Sequence, residues 1–254
     1  MDLGMFQLSL NESQRTFIYR KTSDGDTGVI DQIFRNRDYE IAGTEQGKRL
    51  VAYHNAISKS QTSLIIDAGA NIGASVVWFL SRWPNCFVFG IEPDGENHKI
   101  LSVNTAGLNC YNFLGAVSNI DGEVALCDPG RSDWGFMTRK IDSEGCQDNS
   151  SGKAAIVPSI SPDSILQHNA TQGLCPFIFK VDIEGGEAAL FDGECSWLSK
   201  FPLLIIELHD WMLPFSGSSK PFLKAMADNE FDILHRGENI FAFNRTILGN
   251  AKFE

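Results

Sequence analysis

Leu64-Ile65-Ile66-Asp67-Ala68-Gly69-Ala70-Asn71-Ile72-Gly73 decides the fold. Its head is a short continuous apolar run, as a parallel strand buried on both faces requires. The chain then turns at Gly69, where the missing side chain permits a tight bend and lets a ligand approach the backbone. Gly73 opens a helix expected over residues 74–82 and lets it pack on the strand. Outward from this unit the rhythm repeats. Strands are expected over 87–91, 111–117, 177–181 and 203–208, and helices over 96–106 and 186–191. Residues 231–235 and 240–244, joined by Arg236-Gly237-Glu238-Asn239, read as an antiparallel hairpin. The expectation is an α/β fold: a Rossmann-like, mostly parallel sheet with helices on both faces and that hairpin at its C-terminal edge.

Upstream, residues 15–21 alternate in part and read as a strand. Val29, Ile30, Ile33 and Phe34 fall at helical spacing, which predicts a helix over 27–35, and a second helix is expected over 45–60. Residues 1–60 are thus an extension ahead of a domain over 61–254, either a cover for the sheet or a lid over a site. A strand is expected over 123–127. Residues 128–155, with Asp128-Pro129-Gly130 and a polar run over 142–153, read as an exposed insertion. A short strand at 156–157 and a helix over 162–168 lead back to the core.

Composition narrows the function. The 254 residues are 43% hydrophobic and 21% charged, which excludes a disordered chain, a collagen or a coiled coil. The net charge of −11 argues against a broad nucleic-acid surface, since phosphates need Lys and Arg. No run approaches the roughly 20 apolar residues of a membrane span. The first residues carry Asp2 and lack a basic start, so no signal peptide is read and the cytoplasm is the default location. Cysteines 86, 110, 127, 146, 175 and 195 form no C-x-x-C pair. Buried free thiols are expected in preference to a disulfide set or a zinc site.

The ligand signal lies in two carboxylates. Glu92 ends the strand after the glycine turn, where an acid accepts hydrogen bonds from both hydroxyls of a ribose. A glycine turn alone is common; the acid at the next strand end makes it specific. The turn lacks the G-x-G-x-x-G pattern that a pyrophosphate needs. Asp67 stands before it, where a carboxylate repels phosphate and attracts a cation. An adenosyl ligand with a sulfonium suits that charge, so S-adenosyl-L-methionine is expected as cofactor ahead of a nicotinamide dinucleotide. The alternatives are an NAD(P)-dependent oxidoreductase on a similar sheet, or a non-catalytic binding protein that retains the fold.

Phe179-Lys180-Val181-Asp182-Ile183-Glu184-Gly185-Gly186-Glu187 is the denser segment. The two-residue period of a strand puts Lys180 and Asp182 on one face. Charge this dense at the carboxyl end of a central strand is costly to bury unless paired or used, and that end is where open α/β sheets bind ligands. The alternative is a strand-end cluster with Glu187 stabilising the following helix start. The next strand ends Glu207-Leu208-His209-Asp210, where His209 is either a base able to deprotonate a hydroxyl near neutral pH or a histidine bonded at a strand end. The candidate catalytic set is Asp182, His209, Lys180 and Glu184, with His209 or Asp182 as base. Asp182, Glu184, Glu207 and His209 offer oxygen and nitrogen ligand types, but no spacing among them is diagnostic, and no metal is assigned.

These segments resemble the FkbM family of S-adenosylmethionine-dependent methyltransferases. The matching pieces are Asp67-Ala68-Gly69-Ala70-Asn71-Ile72-Gly73, Ile91-Glu92-Pro93, Lys180-Val181-Asp182-Ile183-Glu184-Gly185-Gly186-Glu187 and Ile206-Glu207. Residues 28–34, ending near Tyr39, look like the family's lead-in. One departure is Ser161-Pro162-Asp163, where the family usually shows Thr-Leu-Asp. The resemblance implies a seven-stranded class I methyltransferase sheet and transfer of a methyl group to an oxygen, often on a sugar or another natural-product hydroxyl. It places Asp67, Gly69, Asn71 and Gly73 around the methionine arm and Glu92 on the ribose, with Ala70, Pro93 and Asp182 adjoining. Asn97 and Ser118 fall near the adenine. The expected partner is a small-molecule hydroxyl acceptor rather than nucleic acid. Trp134, Phe136 and Trp211-Met212 line either its pocket or a subunit contact, which leaves a homo-oligomer open.

Overall fold

The computed structural model describes residues 2–10, 13–127, 137–140, 155–212 and 214–249, with backbone alone for Cys127 and residues 137–140. The chain opens with an antiparallel hairpin, β1 (Leu3–Leu10) and β2 (Ser13–Arg20). Helix α1 (Asp24–Ile30) begins where the Ser23 hydroxyl accepts the Asp26 amide, and runs into a π-helical turn, Asp31–Arg35. Helix α2 (Glu45–Ile57) is capped by Thr44 in the same way. The core follows as β3 (Ser63–Ala68), α3 (Ala74–Arg82), β4 (Cys86–Glu92), α4 (Gly95–Asn104) and β5 (Cys110–Leu114). Four short strands come next: β6 (Ala116–Val117), β7 (Gly122–Cys127), β8 (Met137–Lys140) and β9 (Ala155–Ile160). The chain returns through α5 (Pro162–Gln167), β10 (Cys175–Val181), α6 (Glu187–Leu190), β11 (Leu203–Glu207) and α7 (Lys220–Ala227). It closes with the hairpin β12 (Phe231–Arg236) and β13 (Asn239–Asn244) and helix α8 (Arg245–Leu248).

Seven strands form the central sheet in the order β12-β13-β11-β10-β3-β4-β5. From β11 to β5 all pairings are parallel, and the last hairpin adds β13 antiparallel to β11. The two-residue period of these strands sorts their side chains between two cores. Ile65, Val88, Ile178 and Ile205 face one, with Leu50 of α2, Val76 of α3 and Leu248 of α8. Leu64, Ile66, Phe89, Phe179 and Ile206 face the other, with Ile165 of α5, Leu190 of α6 and Phe222 of α7. The sheet buried on both faces is why its strands were legible as apolar runs.

Several expectations change. The strand expected over 111–117 is broken at Gly115, where a Cβ would meet the Phe113 ring and the Pro158 carbonyl oxygen. Beyond the break, β6 leaves the central sheet and pairs with β9 in a separate four-stranded sheet, β6-β9-β7-β8. The helix expected from residue 27 starts at Asp24, because Ser23 supplies the cap. Strand β1 and helix α7 were not expected. Of the insertion expected over 128–155, the described part is β8 and Ala155, both in the smaller sheet; Trp134, Phe136 and the run over 142–153 lie outside the described residues. Cys86 is buried, whereas Cys110, Cys175 and Cys195 are half-buried, and all four are free thiols; the Cys127 side chain and Cys146 lie outside the described residues. Among the described residues, no helix is long and apolar enough to cross a membrane.

Candidate active site

The chain leaves β3 toward β4 and β5 on one side, and leaves β10 toward β11 on the other. The loops after β3 and β10 therefore diverge and open a crevice, the topological switch point where such sheets bind ligands. Register sets Asp67 of β3 against Lys180 of β10. Lys180 Nζ lies 3.0 Å from Asp67 Oδ1 and donates to the Gly69 carbonyl at 2.9 Å. The second Asp67 oxygen accepts the Ser75 hydroxyl at 2.5 Å. Burial pushes Lys180 down, but the groups around it, Asp67 foremost with Tyr39 and Asp182, together outweigh burial and hold the ammonium well above its ordinary range. Gly69 itself has φ +85°, and a Cβ there would lie 1.7 Å from the Asp182 carbonyl oxygen. Only glycine lets the two loops touch.

A cavity at this crevice is lined by Gly69, Ala70, Asn71, Glu92, Pro93, Asn97, Lys180, Asp182 and Glu184, all of which the sequence pointed to. Glu92 Oε2 accepts the Asn71 amide at 2.8 Å, and Oε1 accepts the Asp94 amide at 3.0 Å. Each oxygen keeps acceptor capacity for a further donor. Burial pushes the Glu92 carboxyl up to about 7 against the pull of those amides. Asn97 Oδ1 accepts from Arg20 of the N-terminal hairpin at 2.6 Å, while Nδ2 stands 3.5 Å from Glu92. Asn71 takes the left-handed conformation, φ +47°, and its buried Oδ1 has no hydrogen-bond partner. At the other rim, Glu184 with φ +51° and Gly185 with φ +88° reverse the chain after Asp182.

Four expected residues stand elsewhere. Asp67 is fully buried behind the cavity and reaches it through Lys180 and Ser75. Gly73 caps α3 at φ +91° and packs on α4, where a Cβ would meet Leu101 at 2.9 Å. Ser118 is turned to Asn119, with its amide on the Ile160 carbonyl; the preceding Ala116 and Val117 line the cavity instead. His209 does not line it either. Its Nδ1 is bound to Glu187 Oε1 at 2.7 Å, and Nε2 faces Asp182, Glu184 and Glu207. Burial lowers its pKa, but hydrogen bonding to Glu187 and Glu207 and the Asp182 charge together outweigh burial and raise it to about 11.

Sequence reasoning missed part of the wall. Val29, Gln32, Ile33 and Tyr39 of the N-terminal segment line the cavity, as does Ser75 in the first turn of α3. Tyr39 stood at the end of the lead-in stretch, which was its one signal. Ser75 gave none, because nothing local marks the side chain that will meet Asp67.

A parallel sheet that carries an acid at the end of β4, no phosphate-cradling glycine set, and a carboxylate rim across the β3 turn defines a Rossmann-like class I methyltransferase. The chain belongs to the FkbM methyltransferase family: the Methyltransferase FkbM domain matches residues 67–240. Its cofactor is S-adenosylmethionine, and the NAD(P) alternative falls away. The residues present fit that cofactor. Glu92 has acceptor capacity for a ribose diol, and the orphaned Asn71 Oδ1 is an acceptor without a donor. The chain is 22% identical over 210 residues to the hexuronic acid methyltransferase AglP of Haloferax volcanii, covering 83% of this chain and 80% of that protein. Among solved structures, a putative O-methyltransferase from Klebsiella pneumoniae is 12% identical over 85% of this chain and 89% of its own, with a TM-score of 0.41. A methyltransferase from Geobacter sulfurreducens is 15% identical over 88% and 91%, with a TM-score of 0.36. At such scores the likeness says nothing of acceptor or chemistry.

Proposed function

We propose that this methyltransferase acts on a hydroxyl oxygen of a sugar or another natural-product-like small molecule. The observation that carries the reading is the carboxylate pair Asp182 and Glu184 on the cavity wall, across the β3 turn from Glu92. A hydroxyl must lose its proton as its oxygen attacks, and a carboxylate is the group to receive it. The acceptor of the distant relative, a hexuronic acid, supports a sugar.

When bound, S-adenosylmethionine supplies a methyl group already activated on a sulfonium. Glu92 would accept from the ribose hydroxyls, and Asn71 Oδ1 would accept from a donor on the methionine arm. Lys180, tied to Asp67 and to the Gly69 carbonyl, fixes the turn that would hold the arm. Asp182 or Glu184 takes the acceptor proton. Holding the acceptor oxygen in line supplies the rest, since well-oriented reacting groups gain several kcal/mol of the barrier.

Calorimetric titration with S-adenosylhomocysteine tests the cofactor half. The acceptor half is tested with isotope-labelled methyl donor and a panel of neutral sugars, hexuronic acid glycosides and polyketide alcohols, with the product's methyl located by NMR. The expected result is a methyl on oxygen. Transfer to nitrogen or carbon, or none to any hydroxylated acceptor, overturns the proposal.

A further inference from the structure

Asp182, Glu207 and His209 stand at the ends of the adjacent strands β10 and β11, and one ligand-type atom of each lies within 4.8 Å of the others. Acidic groups alone are ordinary. His209 sets this group apart. Its side chain is 1% exposed, and Glu187 fixes the ring through Nδ1. Nε2 is thereby aimed at three carboxylate oxygens: Asp182 Oδ1 at 3.7 Å, Glu184 Oε2 at 3.5 Å and Glu207 Oε1 at 3.5 Å. None is within the roughly 2.7–3.2 Å of an N–H···O hydrogen bond. Three oxygens from three side chains are thus gathered at nearly equal distances around one buried nitrogen, each farther from it than an ordinary hydrogen-bond partner. Ligands disposed about a common centre look like this. Metal-ligating histidines also give their other ring nitrogen to a carboxylate, as His209 does.

Charge points the same way. Asp182, Glu184, Glu187 and Glu207 surround a single imidazole. Among the described residues, the ammonium that reaches them is Lys180, 3.5 Å from Asp182 Oδ2 and already held by Asp67 and the Gly69 carbonyl. The second Glu187 oxygen is buried without a partner. Gathering so much negative charge in a largely buried place is costly unless a cation shares it.

We infer that Asp182, Glu207 and His209 bind a divalent metal ion of the manganese type at the carboxylate rim of the cavity, with Glu184 beside it. Two carboxylates and one imidazole, whose Nε2 proton the ion displaces to solvent, suit an ion that accepts both oxygen and nitrogen ligands. Three protein ligands leave coordination positions for an acceptor oxygen, whose proton an adjacent cation makes easier to remove. With Asp182 on the ion, Glu184 is the carboxylate left to take that proton. This role rests on the methyl-transfer reading above; the binding of the ion does not.

The test is manganese(II) titrated into the metal-free full chain, read from the paramagnetic resonance signal of the free ion. About one ion per chain is expected, displaced by excess magnesium or zinc. Glu207→Gln and His209→Gln should each weaken binding by about tenfold or more, whereas Glu123→Gln, an exposed acid of β7, leaves it unchanged. S-adenosylhomocysteine calorimetry on the same variants shows that their cavity is folded. No manganese bound by the wild type, or a folded Glu207→Gln variant that holds it equally well, overturns the inference. Cofactor binding without metal binding sinks the ion alone. Metal binding without any methyl transfer sinks the functional reading alone.

Discussion

Glu92 serves two ends that pull its ionisation apart. Burial raises its carboxyl from 4.5 to about 7 in the folded protein. The folded state therefore binds that proton more tightly than the unfolded chain. Its contribution to apoprotein stability is complete below 4.5 and is lost as pH rises through about 7. A ribose diol prefers the charged form, so ligand affinity runs the other way. Calorimetry should show S-adenosylhomocysteine binding about tenfold tighter at about pH 8 than at about pH 6, with the slope gone in Glu92→Gln. A flat wild-type profile would take Glu92 off the ribose. Lys180 offers a second test. It is 2% exposed and paired with a fully buried Asp67, so Lys180→Met leaves an uncompensated carboxylate. Denaturant unfolding should report a loss of about 3–5 kcal/mol, part of it restored in the double variant with Asp67→Asn. No recovery in the double variant would mean that Lys180 acts through packing alone.

Elements were legible in proportion to how locally their signals were written. Strands β3, β4, β10 and β11 announce themselves as continuous apolar runs because both their faces are buried. The motif residues Gly69, Asn71 and Glu92 were readable for a related reason: a strand end and its turn hold them in sequence. Strand β1 alternates in exposure residue by residue, but Leu3 and Met5 put apolar side chains on its exposed face and Gly4 stands on the inner one, which masks that period in the sequence. The merged strand over 111–117 shows the converse, since apolar continuity hides a break at Gly115, where the Phe113 ring and the distant Pro158 carbonyl leave no room for a Cβ. Tyr39 and Ser75 became site residues through packing between segments far apart in the chain. One side chain makes such packing testable. Buried Asn104 at the end of α4 accepts the Ile18 amide at 2.8 Å and donates to the carbonyls of Ile18 at 2.9 Å and Ile72 at 2.8 Å. It thus joins the N-terminal hairpin to the glycine turn. Asn104→Ala orphans three backbone groups and should cost roughly 3 kcal/mol or more, seen as a fall in melting temperature. A near-neutral result would show that water replaces the amide and that the hairpin is held by its apolar face alone.

At the scale of the molecule, the N-terminal segment is part of the cavity as well as of the core. Val29, Gln32, Ile33 and Tyr39 line the same space as Glu92 and Asp182, and Arg20 ties buried Asp26 to Asn97. Phe17, Ile33 and Tyr39 also pack into the core that covers one face of the sheet. A segment that only covered the sheet would be indifferent to cofactor, whereas one that walls the site must open before the ligand can be lost. The two cases differ by linkage. Ligand at about 100 times its dissociation constant adds about 2.7 kcal/mol to any opening that abolishes binding, and so slows exchange through that opening about 100-fold. Saturating S-adenosylhomocysteine should therefore slow hydrogen exchange over α1 and the π-helical turn, together with the amides that follow β3 and β10. Helix α7 packs on the opposite core, and its local openings leave the cavity intact. Its amides should slow only where they exchange by global unfolding. Equal rates over residues 24–39 with and without ligand, beside slowed exchange at residues 69–73, would make the segment a cover and remove it from the cofactor's wall.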